Sequence, residues 1–109
     1  EMCIRDREKA ASLLKVAKKS NVNLVIPKDS TNSEGFKDTK NYVITESSMI
    51  PSGAVGMDIG PKTVNEYKDI IAKSKTVVWN GPMGVFEFKN FSTGTRKIAE
   101  AVTSPAFVR

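Results

Sequence analysis

The strongest constraint on this chain is an alternation. Short β-branched runs, each cut off by Gly or Pro, exchange with stretches of helical periodicity. Thr76-Val77-Val78-Trp79 is the clearest of the runs, and Asn80-Gly81-Pro82 stops it abruptly. Val22 to Ile26, ended by Pro27, reads as a buried strand. Tyr42 to Thr45 is a short strand, and Ala54 to Ile59 another, ended at Gly60-Pro61. Between these lie helices. Ala10, Leu13, Leu14 and Ala17 share one helical face, which predicts a helix from about Asp6 to Ser20 that Asn21 can close. Acidic residues early in it and Lys18 and Lys19 late suit the helix dipole. Thr63 and Glu66 have the spacing of a capping box, so a second helix is expected from about Val64 to Ser74. A third is expected over Thr95–Val102, ended by Pro105. Lys28 to Asn41 is polar and reads as a loop, which Phe36 could pin to the body. Ala106-Phe107-Val108 reads as the opening of one more strand.

This order predicts an α/β fold: a parallel sheet with flanking helices, its principal strands Val22–Ile26, Val55–Ile59 and Thr76–Trp79. The unfinished last strand predicts an incomplete domain fragment. The composition narrows the function. With 39% hydrophobic residues and no apolar run near the roughly 20 residues of a membrane span, no membrane role is expected. No signal peptide is visible, and a cytoplasmic location is expected. The chain has no histidine and a single cysteine, Cys3. Histidine-dependent nucleophilic mechanisms, internal disulfides and multi-cysteine zinc sites are therefore excluded. The net charge of +5 is spread along the chain, and the few aromatics do not alternate with Lys or Arg, so a solvated surface is favoured over nucleic-acid binding.

Ligands of open parallel sheets bind outside the carboxyl ends of the strands. Two glycine-rich stretches follow strands here, Gly56-Met57-Asp58-Ile59-Gly60-Pro61-Lys62-Thr63 and Asn80-Gly81-Pro82-Met83-Gly84-Val85-Phe86-Glu87. Glycine lets backbone approach a ligand closely, and Asn and Glu supply directional hydrogen-bonding groups. A flat base on glycine backbone, with sugar hydroxyls held by a carboxylate, suits the pair. Gly60-Pro61-Lys62-Thr63 is not a phosphate loop: proline removes a needed N–H and separates Gly from Lys. For Asp58 a capping role is favoured over a metal ligand or base. From spacing alone Glu87 reads equally as an exposed charge and as a site residue. Trp79, Phe86, Phe88 and Phe91 read as core.

At the same two stretches the sequence resembles phosphoglycerate kinase. Val77-Val78-Trp79-Asn80-Gly81-Pro82-Met83-Gly84-Val85-Phe86-Glu87 is similar to that family's V-V-W-N-G-P-x-G-V-F-E signature. Gly56 to Thr63 resembles its G-x-D-I-G-P-x-[ST] segment, and Phe91, Gly94-Thr95 and Ile98-Ala99 the helix that follows. Ala10 to Asp29 resembles the helix and L-P-x-D strand that precede these motifs, although Lys28 stands where the family usually has an apolar residue. The similarity covers nearly the whole chain. It implies that residues 1–109 are part of the C-terminal, nucleotide-binding domain, a Rossmann-like α/β unit. It implies reversible phosphoryl transfer between 1,3-bisphosphoglycerate and ADP in glycolysis, with ATP/ADP and magnesium, by a complete enzyme that is monomeric and also binds 3-phosphoglycerate. Carried over by position, Gly56 and Met57 would border the adenine, Asn80 and Pro82 would line the nucleotide pocket, and Glu87 would hold the ribose hydroxyls. No catalytic residue and no metal ligand is implied within this chain. The phosphate loop, the cations around the transferring phosphoryl and the sugar-acid-binding domain lie outside it, so the segment alone is expected to be inactive. A truncated, non-catalytic nucleotide-binding module and a partner-stabilised one are the alternatives.

Overall fold

The computed structural model describes residues 2–104, with side chains from Asp6 onward. The first helix, α1 (Met2–Lys19), ends as the sequence predicts. Asn21 takes a positive φ of 56°, the left-handed conformation Asn tolerates at a helix end. The N–H of Val22 then returns to the Ala17 carbonyl at 2.9 Å. The helix does not bury its face: Leu13 and Leu14 remain about half exposed.

The sheet is α/β in company but antiparallel in pairing. Its strands are β1 (Asp29–Ser33), β2 (Tyr42–Glu46) and β3 (Val55–Ile59), in the order β2-β1-β3. Both ladders are antiparallel, which corrects the parallel sheet expected from the alternation. Of the three principal strands predicted, only Val55–Ile59 forms. Val22–Ile26 and Thr76–Trp79 make no ladder and carry no strand. Val25 from the first and Val77 to Trp79 from the second line an apolar groove together with Tyr67 and Ile71 instead. No α-helix separates these strands, and β1 lies between two strands that both run against it, whereas parallel neighbours would need a long crossover, usually an α-helix.

β1 is the central strand, and its sequence, Asp-Ser-Thr-Asn-Ser, is why it read as loop. A buried polar strand holds only if its side chains find partners. Asn32 donates to the Val43 carbonyl at 3.2 Å and to the Thr45 hydroxyl at 2.9 Å, and the Ser30 hydroxyl donates to Asn32 Oδ1 at 2.9 Å. Helix α2 (Pro61–Lys73) and helix α3 (Thr93–Val102) pack on each other beside β3. Ile59, Val64 and Ile98 form the core between them, with Tyr67, Ile71, Met83 and Val102 packed around it. Phe91, fully buried, meets Tyr42 edge-on at 5.9 Å between ring centres. Phe86 and Trp79 depart from the expected core role, at 51% and 39% exposed. The strand expected over Ala106–Val108 lies outside the described residues.

The start of α2 also corrects the sequence. Pro61 is its first residue and Gly60 its N-cap, so Thr63 lies inside the helix and no capping box forms. The cap comes from β1. Asp29 Oδ2 accepts the N–H of Lys62 and Oδ1 that of Thr63, each at 2.9 Å, and the Thr63 hydroxyl donates to Oδ1 at 2.6 Å. Glu66, freed from the box, pairs with Lys28.

Candidate functional site

The two glycine-rich stretches meet, and a bulge in β3 is where they do. Thr31 faces Asp58 and Asn32 faces Gly56, which leaves Met57 without a partner on β1. Its carbonyl accepts the N–H of Val85 at 2.9 Å. Gly84 makes this approach possible. A Cβ there would lie 2.6 Å from the Met57 carbonyl oxygen and 2.7 Å from Asp58 Cα, closer than any side chain can stand.

Helix α3 fixes the other side. The Gly94 N–H donates to Asp58 Oδ2 at 2.9 Å, and the Ile59 N–H to Asp58 Oδ1 at 2.8 Å. Asp58 is therefore a helix cap, but of the distant α3 rather than of a turn or the helix that follows it in sequence. Burial, only partly offset by these two bonds, pushes its carboxyl above the ordinary value. Next along α3, the Thr95 hydroxyl accepts the N–H of Met83 at 3.1 Å. Sequence reasoning passed over Gly84, Val85 and Thr95 as individuals. The signal was present in the spacing of Gly84 after the Asn80-Gly81-Pro82 stop.

The residues singled out from sequence are placed unevenly. Met57 is 1% exposed, so its side chain is core and its backbone is what the Gly84–Val85 strip covers. Asn80, Pro82 and Glu87 are exposed. Gly56 is exposed as well, and a Cβ on it would meet only Asn32 Oδ1 at 3.6 Å and Ile50 Cδ1 at 3.8 Å. Contact between the stretches is made by Met57-Asp58 with Gly84-Val85. Among the described residues no group of three or more Cys, Asp or Glu gathers to hold a metal ion, and no helix is long and apolar enough to cross a membrane.

A family model described as phosphoglycerate kinase matches residues 2–108. The chain belongs to the phosphoglycerate kinase family. Phosphoglycerate kinase of Clostridium botulinum strain Hall is 47% identical over 95 residues, 87% of this chain and 24% of the relative. That of Borrelia hermsii is 45% identical over the same shares. Among solved structures, phosphoglycerate kinase from Coxiella burnetii superposes with a TM-score of 0.83 at 34% identity, covering 87% of this chain and 24% of the other. The enzyme from Pyrococcus horikoshii gives 0.64 at 27% identity, covering 98% and 28%. The chain thus spans about a quarter of the length of the phosphoglycerate kinases it matches.

Proposed function

We propose that this chain is the adenosine-binding part of the C-terminal domain of a phosphoglycerate kinase. In the complete enzyme that domain would present ATP or ADP, with magnesium, for phosphoryl transfer to 3-phosphoglycerate or from 1,3-bisphosphoglycerate, in cytoplasmic glycolysis. The observation that carries the reading is the joint between the two family motifs, where Val85 bonds to Met57 across Gly84. It holds the strip from Asn80 to Glu87 beside the bulged strand, and bulges recur next to active sites. The adenine would lie against Gly56 and the Met57 backbone. Asn80 and Pro82 would line the pocket, and the Glu87 carboxylate would accept the ribose hydroxyls. Magnesium would be held mainly by the nucleotide and by residues outside this chain.

The test is calorimetry of ATP binding to a complete phosphoglycerate kinase carrying this segment. Hydrogen bonds to a charged acceptor contribute about 1.5–3 kcal/mol, so Glu87→Gln is expected to weaken ATP binding by about tenfold or more. Unchanged affinity would make Glu87 a surface charge only.

A further inference from the structure

Resting on that nucleotide reading, we infer that Thr95 is a positioning residue for the strip from Asn80 to Glu87. Its hydroxyl bonds to Met83, which is not itself assigned to the ligand, and it acts through the backbone of Met83.

Two bonds hold the strip, one on each side of Gly84. Val85 is bound to β3 through the Met57 carbonyl at 2.9 Å, and Met83 to α3 through the Thr95 hydroxyl at 3.1 Å. The α3 anchor is itself fixed to β3, because the neighbouring Gly94 N–H is held by Asp58 at 2.9 Å. An added Cβ at Gly94 would come within 2.7 Å of Ile59 Cγ1, so the helix end and the strand are in direct contact. Strip, strand and helix therefore form a closed triangle. Among the described residues the Thr95 hydroxyl makes its one side-chain hydrogen bond to the strip. Asn80, Pro82 and Glu87 are exposed, so the two anchors supply the restraint that burial does not. Losing the Thr95 link leaves the Met83 N–H unbonded and the strip held by the Val85 bond and the packing of Met83 on the core. The geometry that Asn80 and Glu87 present would then broaden, while surfaces elsewhere in the enzyme stay as they are.

The experiment measures ATP and 3-phosphoglycerate kinetics and thermal unfolding in a complete phosphoglycerate kinase carrying this segment. Thr95→Val removes the acceptor without changing shape. It is expected to raise the KM for ATP by about three- to tenfold, since small misplacements of binding groups are costly. The KM for 3-phosphoglycerate should be unchanged. Thr95→Ser, which keeps the hydroxyl, should restore the ATP value. If Thr95→Val does not fold, Thr95→Ala is to be read in the same way. Glu87→Gln runs alongside as the control on the nucleotide reading. ATP affinity that falls in Glu87→Gln but not in either hydroxyl-free variant overturns the role of Thr95 and leaves the site. ATP affinity unchanged in all of them overturns both. Equal rises in both KM values, or no recovery in Thr95→Ser, reduce Thr95 to general stability and overturn the inference.

Discussion

Asp29 shows how much one side chain can settle in a small α/β unit. It is 2% exposed, sits at the start of the central strand and caps a helix that begins more than thirty residues later. Burial by itself pushes its carboxyl up, but the hydrogen bonds from Thr63 and Lys62 together outweigh it, and the group titrates below its ordinary value of 3.8. A carboxylate held below its unfolded value adds stability above that value, and the stability is lost as pH falls through the lower, folded one. Asp58 runs the other way. Its raised value means that the folded chain keeps a proton the unfolded chain has released, so stability falls as pH rises through that window. Asp29→Ala leaves the Lys62 and Thr63 N–H groups without their acceptor and the Thr63 hydroxyl with only the Asp29 carbonyl. It is expected to cost about 2–4 kcal/mol, from a lost cap and buried unpaired donors. Denaturant unfolding of the chain, followed from neutral to acidic pH, should show that cost at neutral pH. The difference from wild type should shrink below the ordinary carboxylate range. A constant difference across pH would mean that the Asp29 charge is not what caps α2.

Elements join through close backbone approach, and Gly84 is the sharpest instance. Gly84→Ala would drive a methyl group into the Met57 carbonyl and the Asp58 backbone, neither of which can swing aside. Overpacking of this kind costs about 1–3 kcal/mol. The expected result is a lower unfolding midpoint, together with faster amide exchange at Val85 as its bond to Met57 opens. A variant with an unchanged midpoint would mean that the strip is not held against β3. The helices were legible in the sequence because apolar spacing and end signals such as Asn21 are local, although the start of α2 at Pro61 was not. Val55–Ile59 and Tyr42–Glu46 were legible for the same reason. β1 was not, because its stability lies in hydrogen bonds from Asn32 and Thr31 to residues distant in sequence. Val22–Ile26 and Thr76–Trp79 failed in the opposite sense: their composition is that of buried strands, and a ladder needs a partner that composition does not name. For the site, motif spacing singled out both glycine-rich stretches. Which residues of the two actually meet depended on the bulge at Met57, and no local pattern marks a bulge.

For the whole molecule the deciding quantity is exposed surface. The chain, 11.9 kDa in mass, exposes 8401 Å2, against about 5,900 Å2 for a compact protein of that size. Its radius of gyration is 15.2 Å, where a compact chain of this length would have about 13 Å. Much of the excess is apolar. Val78 is 91% exposed, Ile26 60%, and Leu13 and Leu14 about half, on segments that form no ladder and on a helix that buries no face. Such surface drives association. The 109-residue chain by itself is therefore expected to self-associate, with a sedimentation coefficient that rises with concentration. It is also expected to transfer no phosphoryl group. Phosphoryl transfer rests on positioning both reactants and on cations aimed at the transferring group. Lys62, the nearest cation to the glycine-rich turn after β3, is paired with Glu46, and its backbone N–H is taken by Asp29. A coupled assay on the purified chain with ATP, magnesium and 3-phosphoglycerate should stay at background. Turnover above background that is lost on mutating Asn80 and Glu87 would show a complete catalytic site within these residues, and a monomer at all concentrations would show that the apolar segments find cover within the chain.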